Sequence, residues 1–166
     1  MNVATLAATV LFLLVTAEPT PRAQQHPDAA RIRQQLIGSY KLMTYISYDQ
    51  NGVATKLPYA VGQISYDAAG RMSAQLMREG RSRLTTPQAS EAERAAAYSS
   101  YIAYFGNYTI EADKGTVTHH VEGSWSPNMV GSDLVRYLEF SPDGKSLFLS
   151  VKSGERVTGR LQWDRY

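Results

Sequence analysis

The chain has 166 residues, 17 basic and 15 acidic, a net charge of +2 and no cysteine. So even a balance offers no concentrated basic face, and nucleic acid is not an expected partner. Without cysteine there are no disulfides, no thiolate nucleophile and no cysteine metal site, so the fold must rest on packing alone.

Residues 3–17 (VATLAATVLFLLVTA) form an uncharged apolar run, shorter than the ~20 residues of a spanning helix. Val15-Thr16-Ala17 supplies small residues ahead of a cleavage point, so residues 1–17 read as a secretory signal peptide. A second possible cut follows Ala23. The run is preceded by no Lys or Arg, which leaves an uncleaved anchor as the competing reading. After cleavage no stable membrane span is expected. Export without disulfides points to the bacterial periplasm, with secretion as the second choice. Residues 18–27 are rich in Pro, Gln and Ala and read as a flexible linker. One domain, 28–166, follows.

Asp28 is placed to cap a short helix to about Leu36, with Ile32, Leu36 and Ile37 on one side and Gly38 ending it. The first strand covers about 39–48, with Tyr40, Leu42, Thr44, Ile46 and Tyr48 sharing a face. A short strand at 55–58 precedes a hairpin of 61–66 with 71–78. Residues 78–83 carry three arginines and a glycine and read as an exposed loop. Thr86 or Ser90 opens the main helix, where Ser90-x-x-Glu93 forms a capping box. Ala-rich sequence continues it to about Ile102, and it is expected to cover one barrel opening. Five strands follow at about 104–112, 116–125, 133–141, 145–151 and 155–164. Five short turns, at 49–52, 67–70, 113–115, 141–144 and 152–154, each close on glycine, and most open on Asp or Ser. Turns this close together imply hairpins in series. The expected fold is all-β with one main helix: an eight-stranded antiparallel up-and-down barrel, whose alternate residues look into a lumen.

Gly38-Ser39-Tyr40-Lys41-Leu42, the block 70–78, Tyr104-Phe105-Gly106-Asn107-Tyr108 and the block 115–124 resemble the bacterial and fungal lipocalin-like domain family. Pro127-Asn128, Arg136-Tyr137 and the block 160–165 continue the resemblance, which runs from about Ile37 to the C-terminus. It implies a calycin-like barrel able to bind a small molecule. In the Gly-x-Trp opening of lipocalins the aromatic plugs the barrel floor beneath an arginine of the last strand. That gives Tyr40 the aromatic's place here, and either Arg160 or Arg165 the arginine's.

Adjacent strand residues point to opposite faces, so His119 and His120 do not easily ligate one metal together. His119 shares an apolar face with Val117 and Val121 and is expected inward, with His120 outward; a bulge near Gly123 would reverse them. Arg136 on the next strand, if inward, needs a carboxylate or an anionic ligand. Glu122 is the favoured structural partner. Tyr66, Tyr104 and Tyr108 offer apolar walls with polar tips, and Gln75 could orient a carbonyl or hydroxyl. His119, Arg136, Gln75, Tyr66, Tyr104 and Tyr108 are therefore the candidate ligand-binding residues. No phosphate loop, dinucleotide fingerprint, nucleophile elbow or His-Glu-x-x-His occurs, so no catalytic residue is assigned and no cofactor or metal is expected. The leading expectation is an exported barrel binding a small, partly apolar molecule. The alternatives are an acid–base enzyme of the same fold using a histidine, and an envelope protein with a filled barrel. The oligomeric state stays open.

Overall fold

The computed structural model describes residues 27–85 and 88–166. The leader, both candidate cleavage sites, most of the linker and Thr86 lie outside the described residues. Pro27, the last linker residue by composition, opens helix α1 (Pro27–Leu36), where its fixed φ and missing N–H do no harm. The strands are β1 (Gly38–Tyr48), β2 (Ala54–Lys56), β3 (Tyr59–Tyr66), β4 (Arg71–Arg78), β5 (Tyr101–Glu111), β6 (Thr116–Ser124), β7 (Asp133–Phe140), β8 (Ser146–Ser153) and β9 (Arg156–Arg165). Helix α2 (Glu91–Ser99) sits between β4 and β5.

Every neighbour pair is antiparallel, and β9 pairs back onto β1 from Arg165–Tyr40 to Gly159–Ser47. The result is the expected closed barrel of eight strands, with β2 a short addition to the far end of β1. Each of the five glycine turns closes on its glycine in left-handed backbone. The carboxylates of Asp49, Asp67 and Asp143 accept backbone N–H groups two to four residues on, the local bond that favours aspartate in turns. Among the described residues no helix is long and apolar enough to cross a membrane.

Alternation fills the interior. Tyr40 and Leu42 of β1, Ile64 and Tyr66 of β3, Leu147 and Leu149 of β8, and Leu161 and Trp163 of β9 are all buried. In β1 the alternation breaks. The β1–β9 register slips between Leu42 and Thr44, and half-exposed Met43 is the extra residue. Beyond this bulge the faces exchange. Tyr45 turns inward opposite Leu161, and Ile46 faces out opposite Arg160. The expected shared face of Tyr40 through Tyr48 is therefore interrupted.

The two helices exchange the roles the sequence suggests. Helix α2 has its capping box, Ser90 with Glu93, but buries none of its residues and ends at Ser99. Tyr101 and Ile102 instead pair with Met77 and Leu76. Its Ala-rich faces offer little apolar area to seat on a barrel. Helix α1 presents Ile32 and Leu36, one turn apart and both buried, and it closes the floor.

A latch ties that floor together. The Arg165 guanidinium lies 4.8 Å from the Tyr40 ring centre and donates to the Tyr40 hydroxyl at 2.7 Å. It also donates to the carbonyls of Ile37 and Gln35. The Tyr40 hydroxyl donates to the carbonyls of Gln35 and Leu36, at 2.8 and 3.1 Å. These are carbonyls that a helix end leaves without intrahelical partners. Gly38 makes room: a Cβ there would stand 2.4 Å from the Arg165 guanidinium, and its φ is +144°. Arg160, the other candidate for this position, lies outside, over Phe148 and paired with Glu139. We expect Arg165→Ala to lower the unfolding free energy by about 2 kcal/mol, from the lost cation–π contact and charge-assisted bonds. Arg165→Lys should recover little, because an ammonium lacks the fork. Urea titration of the three proteins measures both.

Candidate functional site

The interior has two storeys. In the lower one, His119 of β6 is fully buried. It points inward between Val117 and Val121, as alternation requires. The β5–β6 register does slip, between Phe105 and Gly106, but only past Val121, so the His119/His120 facing is untouched. Gly106 permits the close approach there, since a Cβ would overlap the His120 carbonyl.

Both nitrogens of His119 are occupied. Nε2 lies 2.7 Å from the Tyr66 hydroxyl and Nδ1 lies 3.1 Å from the Tyr104 hydroxyl. We assign Tyr66 as donor across the shorter contact. Nδ1–H then donates to Tyr104 and leaves the Tyr104 proton free. Burial, aided by the nearby Arg136 cation, pushes the His119 pKa from its ordinary 6.5 down to about 3. Burial likewise raises both phenols. The imidazole is neutral near pH 7. Tyr108 sits at the floor, edge-on to Tyr66 at 5.1 Å, under Arg33 of α1, with its hydroxyl donating to the Asp67 carbonyl.

The upper storey is a cavity of about 200 Å³. Ile64, Leu76, Ile102, Leu149, Val151 and Leu161 give it apolar walls. Its polar lining is Arg136 from β7, Tyr45, Tyr104 and the two tryptophans, Trp125 and Trp163, with Met129 at the rim. No acidic residue lines it. Neither indole N–H has a hydrogen-bond partner among the described residues, although both are buried. Arg136 faces inward because it stands opposite Val117 in the β6–β7 register. It donates to its neighbour's carbonyl, at Val135, lies beside the Tyr104 hydroxyl, and has no ion-pair partner among the described residues.

Of the six candidate ligand-binding residues, then, Arg136 and Tyr104 line the cavity. His119, Tyr66 and Tyr108 belong to the packed storey beneath it. Gln75 faces outward, because Ala74 and Leu76 on either side take the inward positions of β4. It lies in a shallow outer groove with Ala103 and Phe105. Glu122 is not the partner of Arg136. It lies on the outer face and pairs with Arg71 through two bonds of 2.7 and 2.8 Å, with Asn107 completing the network. Outside too, His120 bridges Thr109 and Asp133 at 2.9 and 2.7 Å, a cross-strand ladder on the open face of the sheet. Among the described residues no group of three His, Asp or Glu is placed to hold a metal ion.

Sequence reasoning missed Tyr45, Trp125 and Trp163. For Trp163 the signal was present: positions 159, 161 and 163 alternate in phase through Gly159, Leu161 and Trp163, all inward. Tyr45 was hidden by the Met43 bulge. Trp125 lies just beyond the end of β6, past a second bulge.

A family profile described as a lipocalin-like domain matches residues 37–166. A solved structure of a redesigned β-barrel is similar at a TM-score of 0.42 and 11% identity, covering 82% of this chain and 96% of that one. No curated protein matches the sequence.

The pH dependence of stability follows from His119. Its folded pKa is depressed, so below about pH 6.5 the unfolded chain takes up a proton that the folded barrel refuses. The associated stability is complete above the unfolded pKa and falls as the pH drops toward about 3. Between about pH 8 and pH 5 this one group should remove about 2 kcal/mol. His119→Gln, which bonds both tyrosines without titrating, should lack that component. Urea titrations of both proteins at the two pH values measure the difference.

Proposed function

The chain belongs to the lipocalin-like domain family, and from that premise we propose that it is an exported carrier or sensor of a small, partly apolar molecule held in the upper lumen. The observation that supports this reading most is the cavity itself. Apolar walls with a few convergent polar groups are what a small-molecule site requires. A barrel kept only for its own stability would gain by filling that space with side chains. The filled-barrel alternative describes the lower storey alone.

The acid–base alternative has less support. A general base must reach the substrate and titrate near the working pH. His119 is screened from the cavity by Tyr104, both its nitrogens are engaged, and its pKa of about 3 keeps it unprotonated. Export is proposed on the apolar run at residues 3–17, and the periplasm over secretion on the absence of cysteine.

The chain's only two tryptophans both line the cavity, so intrinsic fluorescence reports its occupancy. A metabolite panel should contain compounds that shift tryptophan emission and raise the melting temperature together, because a ligand that binds only the folded state stabilises it. Val151→Phe, which fills the upper storey from β8, should abolish both responses while leaving the far-ultraviolet circular dichroism unchanged. A panel without a single stabilising compound, or responses that survive in Val151→Phe, would count against a luminal site.

A further inference from the structure

We infer that the occupant of the lumen is a small monocarboxylate whose carboxylate is held by Arg136, an inference that rests on the reading of the upper storey as a ligand site. Every polar side chain of the lining can donate a hydrogen bond, and the phenols of Tyr45 and Tyr104 can also accept. Arg136 offers guanidinium N–H groups and positive charge, Trp125 and Trp163 offer indole N–H groups without a protein partner, and the Tyr104 proton is released by the His119 bond described above. Nothing acidic lines the space. Glu122 is turned away to Arg71, and Asp133 and Glu139, the carboxylates nearest in sequence, pair with His120 and Arg160 on the outer face.

A half-buried guanidinium with no anion destabilises the folded barrel, and unpaired buried N–H groups add to that. A carboxylate answers all of these at once. Its two oxygens match the planar fork of arginine, and its remaining lone pairs can accept from an indole or a phenol. One cation in an otherwise apolar chamber suits one negative charge; a dianion would leave a second charge buried and unpaired. The size sets the rest. An apolar cavity of about 150 Å³ holds a benzene ring, so about 200 Å³ admits a monocyclic aromatic acid or an aliphatic acid of similar bulk.

The test uses four probes at neutral pH: octanoate against octanol, and benzoate against benzamide. Calorimetry and tryptophan emission follow binding to the full chain. The acids should bind at least about tenfold tighter than their neutral partners, the worth of one charge-assisted bond. Arg136→Met should lose that preference while still binding octanol. Arg136→Lys should keep part of it, which preserves the test if the methionine variant does not fold. Equal binding of acid and neutral probe, or an acid preference that survives in Arg136→Met, overturns the carboxylate assignment and leaves a luminal site standing. If none of the four probes shifts the tryptophan emission, the luminal site fails together with the assignment.

Discussion

Closure of the barrel, made where β9 returns to β1, is the constraint on which everything else depends. An open eight-stranded sheet would expose two edges and no interior. Closure removes the edges and creates a space whose contents the chain must specify residue by residue. The Tyr40–Arg165 latch stands where the first and last strands meet and where α1 turns in. One guanidinium thereby fastens the seam and caps the helix that seals the floor. Gly38 belongs to the same unit, since a side chain there would occupy the guanidinium's position.

Closure also divides the interior by chemistry. The lower storey is packed and polar only where polarity is fully answered: His119 between two phenols, Tyr40 on helix carbonyls, Tyr108 on a turn carbonyl. Such a network is safe in a low dielectric because its members are paired. The upper storey breaks that rule. It keeps a guanidinium without a carboxylate and two indoles without acceptors. An uncharged side chain at 136 would avoid the cost of the unpaired guanidinium. Unanswered donors in a folded interior lower stability, and they are the ground on which the chamber is proposed as a ligand site.

The elements most legible in the sequence were those set by neighbours along the chain. Glycine turns opened by aspartate, the Ser90–Glu93 capping box and period-two alternation around Val117, His119 and Val121 all act over a few residues, and all appear where expected. The errors share one origin. Met43 shifts β1 by a single residue and sends Tyr45 inward and Ile46 out, which no local preference announces. Glu122 was matched to Arg136 as a residue of the neighbouring strand, but it faces outward and pairs with Arg71. Gln75 looked suited to a ligand by type, yet its position on β4 turns it outward. The main helix was assigned the barrel opening because it lies between strands of the meander, whereas α1 had the two apolar residues needed to seat.

By itself the sequence determined that this chain makes antiparallel hairpins in series and that the series resembles a lipocalin-like barrel, because those properties follow from spacing and turn chemistry. It favoured His119 over His120 inside, and the position of the β5–β6 bulge decided it. Only the tertiary structure decided which side chains share the cavity. That depends on bulges, on register between strands far apart in the chain, and on which charges find partners first. Arg136 faces the lumen with no ion-pair partner among the described residues for that reason: Glu122, the partner expected from the neighbouring strand, pairs with Arg71 on the outer face.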